Sequence, residues 1–300
     1  MKASSENLAV RVAIGSLVVG VVVLGLKGYA AYATGSIALF SDALESIVNL
    51  VTSVVALVAV RLAARPADAN LPYGYHKAEY FSAVVIGIFI GVAAILILER
   101  AWEGFNNPQP FDADPIGLSV SLLATVINLG WGWVLLRSGK REQSVSLEAD
   151  GRHLMTDVLS TVAVLVGVLL AVVTGFERLD AILAAFVAVT ILWSGWQLIR
   201  QSIVGLMDAA VEPGLLERIR EIISASAEGA IEAHDIRTRQ AGKMTFIDFH
   251  LVVPGTMSVD TAHAICDSIE AKLREAVTHA QITIHVEPEY KAKHSGIVVV

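Results

Sequence analysis

The chain has 300 residues, of which 55% are hydrophobic and 17% charged, and its formal net charge is −7. A mean hydropathy of +0.63 excludes an ordinary soluble domain, where charged residues make up about a quarter of the chain. The acidic balance excludes a basic surface for nucleic acid, and a single cysteine, Cys266, excludes a disulfide framework within the chain.

Six stretches reach the roughly 20 mostly apolar residues that a bilayer-spanning helix needs. They are 8–33, 36–62, 78–102, 116–136, 147–174 and 179–199. The first continues past Lys27 with no stop suited to a signal peptidase, so it reads as a retained span. The second and fifth are interrupted by polar residues. Basic residues follow the even-numbered spans, with Arg61, Arg65 and Lys77, then Arg137, Lys140 and Arg141, then Arg200. The opposite connections hold few, Arg178 being alone in the last. The positive-inside rule then places both termini in the cytoplasm, for an integral protein of the cell inner membrane.

From Asp208 the pattern changes to that of a soluble domain. Residues 213–227 read as an amphipathic helix with Pro213 in its first turn. Residues 234–240 and 244–253 read as strands around a turn at Ala241–Gly242. Ser258 caps a helix reaching residue 276, and 281–287 alternate as a further strand. The expected architecture is an all-α membrane bundle of six helices over 1–208, then an α+β domain of order α-β-β-α-β over 209–290. Residues 291–300 are expected to form a loose tail.

The polar interruptions of the second and fifth spans share one spacing. Asp42, Glu45, Asn49, Thr52 and Ser53 align with Asp150, His153, Asp157, Ser160 and Thr161. Residues four apart share a helix face, so Glu45 with Asn49, and His153 with Asp157, each present two ligating groups to one side. If the two helices face one another, four side chains surround one ion, as tetrahedral Zn²⁺ prefers. A carboxylate at the bilayer centre costs a few kcal/mol on insertion scales and usually marks an ion path. The alternative is that these groups pair with each other, or with Lys27, to hold the bundle together. For Asp42 and Asp150, a cap near a helix end stands beside a ligand role. The chain lacks a His-Glu-x-x-His motif, so a metal-dependent hydrolase has no support, and no enzyme is expected.

These features together resemble the cation diffusion facilitators, in particular the bacterial ferrous-iron and zinc efflux-like branch. The resemblance spans nearly the whole chain. It rests on the six spans, the two polar pairs, the segment Tyr73-Gly74-Tyr75-His76-Lys77-Ala78-Glu79, the Leu206-Met207-Asp208 exit from the last span, and the histidine-bearing C-terminal domain. It implies a homodimeric metal/proton antiporter in a lipid bilayer, carrying Zn²⁺, Fe²⁺ or Mn²⁺, with a cytoplasmic domain folded like a metallochaperone. It also implies that Glu45, Asn49, His153 and Asp157 form the transport site, with Asp42 one turn away.

Relatives commonly carry Asp where this chain has Asn49, so one anionic ligand is replaced by an amide oxygen. Neutral oxygen suits harder ions such as Mn²⁺, while imidazole suits Zn²⁺ and Fe²⁺. An ordinary imidazole titrates near about 6.5 and must be neutral to bind metal. His153, with Glu45 and Asp157, is therefore the expected proton-exchange set. In relatives a loop site uses one Asp and two His. Here Asp68 remains, Leu71 and Tyr75 stand at the histidine positions, and His76 is displaced by one residue, leaving at most a weak Asp68/His76 site. Lys77 and Asp208 match a charge pair near the dimer interface. Six of the eight histidines lie after residue 208, in the C-terminal domain and its tail. The resemblance assigns His234, His250, His263, His285 and Glu287 to a cytoplasmic metal site, bridging elements within or between protomers. Asp267, one turn after His263, would orient it, while His279 and His294 have no such support. A metal-sensing protein of the same fold that transports poorly is the alternative reading.

Overall fold

No proline falls inside the long apolar runs, and Pro115 and Pro213 sit at the first positions of their helices, where a missing N–H costs nothing. Uninterrupted runs satisfy their backbone groups internally, as a bilayer demands. The computed structural model accordingly has six long helices: α1 (Lys2–Thr34), α2 (Ile37–Ala63), α3 (Ala78–Asn106), α4 (Pro115–Glu142), α5 (Val145–Thr174) and α6 (Arg178–Leu206). The structure describes the backbone of residues 2–34, 37–107, 115–174, 178–293 and 297–298. Side chains are described over the same ranges except 2–7, 30–31, 33–34, 37–45, 48, 115–118, 121, 160, 163–165, 167–174, 179–180 and 297–298. Among the described residues, Leu8–Tyr29, Ala78–Asn106 and Ala181–Leu206 are long and apolar enough to cross a membrane.

The chain divides into two compact units, Met1–Ile203 and Val204–Val300. In the first, two apolar clusters share the same two helices. Val12, Leu57, Leu135 and Leu154 join α1, α2, α4 and α5. Ala56, Ile86, Ala149 and Ile191 join α2, α3, α5 and α6. The polar helices α2 and α5 therefore form the middle of the bundle, with apolar helices on either side. Glycine permits the close approach of α4 to α5. A Cβ on Gly139 would lie 2.7 Å from the Glu148 Cγ and 2.8 Å from its backbone nitrogen. Small residues at such crossings let backbones approach in membranes.

The second unit contains α7 (Pro213–Ser226), β1 (Glu232–Ala241), β2 (Met244–Val253), α8 (Val259–Ala276), β3 (Ala280–Pro288) and β4 (Ile297–Val298). The sheet order is β3-β2-β1-β4. β1 and β2 are antiparallel around a turn with Gly242 at φ 55°, and β2 and β3 are parallel. A parallel pair needs a crossover, which α8 supplies. Ser258 caps α8, its hydroxyl accepting from the Thr261 N–H at 3.1 Å. Ile219 and Ile223 of α7, with Ile269 and Leu273 of α8, pack against Ile247, Phe249 and Leu251 on one sheet face. Cys266 is buried in this core. The observed order agrees with the α-β-β-α-β expectation and adds one strand. The stretch expected to be a loose tail contributes β4, which pairs with Glu232 and Ala233. β1 would otherwise be an open edge, and unpaired edge groups recruit a partner strand.

Gly139→Val should lower the thermal midpoint of the detergent-solubilised chain, at a cost of about 1–3 kcal/mol for overpacking. Gly25→Ala, where a Cβ meets nothing within 4 Å, should leave it unchanged.

Candidate metal sites

The helical period brings the α2 and α5 positions together. Asn49 is buried and donates from Nδ2 to the Asp157 carboxylate across the α2–α5 crossing. His153 lies one turn before Asp157 on α5 and is also buried, at 1% exposure. The side chains of Asp42 and Glu45 lie outside the described residues. A carboxylate facing an amide takes its NH₂, so the Asn49 carbonyl oxygen points elsewhere. It is buried without a hydrogen-bond partner among the described residues. Asn49 borders a small cavity whose polar lining is Ser16, Ser46, Ser53 and Asn128.

Asp150 is not a helix-end group. It is fully buried. It accepts from the Ser16 hydroxyl of α1 at 2.5 Å and the Ser53 hydroxyl of α2 at 3.2 Å. The start of α5 is held by another acid, whose role its place at the end of the Tyr73–Glu79 segment did not indicate. Glu79, in the first turn of α3, is buried and accepts from the Ser144 hydroxyl and from the Ser146 N–H at 3.2 Å. Ser144 in turn caps the Leu147 N–H at 3.4 Å. A carboxylate at a helix N-terminus meets unpaired N–H groups and the positive end of the dipole. Sequence signals existed for both: an i,i+3 acid before His153, and an acid three residues after the histidine of the loop segment.

In the loop between α2 and α3, Asp68 is occupied by protein donors. One oxygen accepts from the N–H groups of Asn70 and Leu71, both at 2.9 Å, and the other from the Tyr75 hydroxyl at 2.5 Å. The Tyr75 bond, then the Leu71 bond, holds the Asp68 carboxyl below its usual 3.8, and the same bond raises the Tyr75 phenol above 10.0. His76 packs over Gly74, whose φ is 84°; a Cβ there would stand 3.0 Å from the ring Nε2.

In the second unit, sheet register lines up three imidazoles. His234 of β1 opposes His250 of β2, which opposes His285 of β3. Ring centroids are 5.3 and 5.0 Å apart. Because faces alternate along a strand, the row lies on the face away from α7 and α8. Glu287 reaches all three: one oxygen is 3.3 Å from His234 Nε2, the other 3.4 Å from His250 Nδ1 and 3.6 Å from His285 Nε2. His234 Nε2 and His250 Nδ1 are buried and make no hydrogen bond among the described residues. Buried ring nitrogens beside a shared carboxylate form a donor set of the kind that binds Zn²⁺. Glu232, missed in the sequence, stands 3.1 Å from His234 Nδ1. A carboxylate at Nδ1 favours the tautomer that leaves a lone pair on Nε2.

His263 is not brought to this row. It lies exposed on α8, in the helical layer, with Nε2 3.8 Å from Asp267; the sheet separates it from the histidines of its own chain. Asp208 pairs with Arg239 at 3.1 Å. Lys77 belongs to the helical unit and Asp208 to the other. His294 lies outside the described residues.

Residues 13–207 match the family described as the cation efflux transmembrane domain, and 211–289 the one described as cation efflux protein, cytoplasmic domain. The chain is 42% identical over 284 residues to the uncharacterised transporter sll1263 of Synechocystis sp., covering 95% of this chain and 92% of that protein. It is 31% identical over 280 residues to the cation-efflux pump FieF of Yersinia enterocolitica, covering 92% and 91%. The solved zinc form of CzrB is 45% identical and covers 28% of this chain and 96% of that one, with a TM-score of 0.27.

The loop bond carries a pH signature. Asp68 has a lowered pKa, so its contribution is present above the unfolded value and fades as pH falls through the folded one. Tyr75 has a raised pKa, so its contribution is present below 10.0 and fades as pH rises through the folded value. Limited proteolysis of the loop should be slowest between these limits, and Tyr75→Phe should abolish the fall in protection at high pH and shrink the one at low pH, since the Asn70 and Leu71 bonds to Asp68 remain.

Proposed function

The chain belongs to the cation efflux family, and we propose that it expels divalent transition-metal ions from the cytoplasm in exchange for protons. It is an integral membrane transporter, not an enzyme, and carries a dimerisation domain. The observation that supports the transport reading best is the contact between Asn49 and Asp157 beside buried His153. These are buried polar groups on facing central helices, and Asn49 borders a small cavity.

In this reading Glu45, Asn49, His153 and Asp157 hold the ion, with Asp42 in reserve one turn earlier. The Asn49 amide donates to Asp157 without the ion and must turn its carbonyl inward to coordinate. His153 releases its proton when metal arrives, since metal and proton compete for one lone pair. Protonation of His153, Glu45 and Asp157 from the far side expels the ion, and rocking of the bundle exposes the site to each side in turn. Imidazole with mixed carboxylate and amide oxygen suits Zn²⁺, Fe²⁺ or Mn²⁺.

The chain works as a homodimer in the inner membrane with both termini cytoplasmic, as the basic connections favour. His234, His250, His285 and Glu287 form a cytoplasmic metal site. His263 joins it only from the second protomer, because its own sheet stands in the way. Lys77 and Asp208 are the charges that the family resemblance places near the dimer interface, and Asp208 pairs with Arg239 within its own unit.

His153→Ala should reduce metal uptake into inside-out vesicles by more than the roughly 10–100-fold typical of losing an outer-sphere partner. Undiminished uptake removes this site. Asn49→Asp restores an anionic ligand and should tighten metal binding and alter the order of metals in a competition assay. An unchanged order and rate would show that Asn49 does not touch the ion.

A further inference from the structure

We propose that Asp235 is an additional ligand of the metal held by the histidine row, and that the Lys293 ammonium occupies its carboxylate until a divalent ion displaces it. The inference rests on the reading of the row as a metal site.

In a regular strand, neighbours point to opposite faces, so His234 and Asp235 should not serve one site. β1 is irregular here. Its register with β2 shifts between His234 and Arg237, and Asp235 takes φ 51°. Positive φ is uncommon outside glycine, although Asp tolerates it, and bulges of this sort re-aim side chains. The outcome is a close cluster: donor atoms of His234, Asp235 and His250 all lie within 4.8 Å of one another. Donors around a tetrahedral Zn²⁺, each about 2.0–2.2 Å from the ion, stand roughly 3.3 Å apart. Modest side-chain rotation closes that gap.

A cation already sits on this carboxylate. Lys293 Nζ lies 2.6 Å from Asp235 Oδ2. The Lys293 N–H donates to Glu232 at 3.3 Å, and Glu232 is the acid that also orients His234. β4 pairs with Glu232 and Ala233. The C-terminal tail thus holds both carboxylates that flank His234. Half-exposed ion pairs are weak, so a coordinated divalent ion outcompetes a single ammonium. Metal binding then frees Lys293 and loosens the tail, and the tail reports occupancy of the row.

The test is zinc titration calorimetry on the full chain in detergent, following the binding event that His250→Ala removes. Lys293→Gln should tighten that event by about two- to fivefold, the scale of an exposed ion pair. Asp235→Asn, which keeps a residue tolerant of positive φ, should weaken it by roughly tenfold. Lys293→Gln should have no further effect in the Asp235→Asn background. Zinc should also speed trypsin cleavage after Lys293 in the wild type but not in His250→Ala. If Asp235→Asn binds as wild type does, or Lys293→Gln fails to tighten binding, this inference falls while the row survives. If His250→Ala removes no event, the row itself is not a metal site and both readings fall.

Discussion

A carboxylate inside an apolar bundle must find a donor or a cation, because an unpaired charge there costs several kcal/mol. α5 carries two such groups, and most of the helical unit follows from satisfying them. Asp157 takes the Asn49 amide, and Asp150 takes hydroxyls from Ser16 and Ser53. Those partners lie on α1 and α2, which fixes the neighbours α5 must have. The two apolar clusters then close around α2 and α5 from opposite sides. The Glu79 carboxylate ties the first turn of α5 to the first turn of α3. Since α5 carries His153 and Asp157, this contact sets how the candidate ligands meet α2.

In the second unit the same problem is solved by strand register. A helix repeats a face every three to four residues, whereas a sheet aligns residues from distant segments by pairing. His234, His250 and His285 are separated along the chain, yet each is the direct cross-strand partner of the next. Glu287, two residues beyond His285 on the same face, lies within reach of all three rings. The hydrophobic core on the opposite face, built around Phe249 and Leu251, holds this arrangement. A slip of one residue would turn every histidine of that strand inward.

At two of the positions that depart from the family pattern, Asn49 and Tyr75, a hydrogen bond stands where a metal ligand is usual. Asn49 meets Asp157 with an amide donor instead of a second negative charge, so the metal-free arrangement is less repulsive. Tyr75 closes on Asp68 and leaves the loop folded by its own donors. One change leaves ligating capacity in place, through the Asn49 carbonyl oxygen. The other engages both Asp68 oxygens with protein donors.

Much of this was legible in the sequence. Apolar run length located the six helices, because backbone satisfaction in a bilayer leaves few alternatives. Four-residue spacing put Glu45 with Asn49, and His153 with Asp157, on one face of their helices, because helical period is a local property. The alternation of β3 put His285 and Glu287 on one face. What the sequence could not supply were relations between segments. It did not reveal that Asp150 is paired with α1 and α2, that Glu79 caps α5, or that Glu232 orients His234. Nor could it exclude His263 from the row of its own chain, since the face of α8 that packs on the sheet is decided by the whole core. The tail looked loose for the same reason: two residues acquire strand structure only when the β1 edge is there to pair with them. Local periodicity is written residue by residue, while long-range partners are chosen by burial and register across the fold.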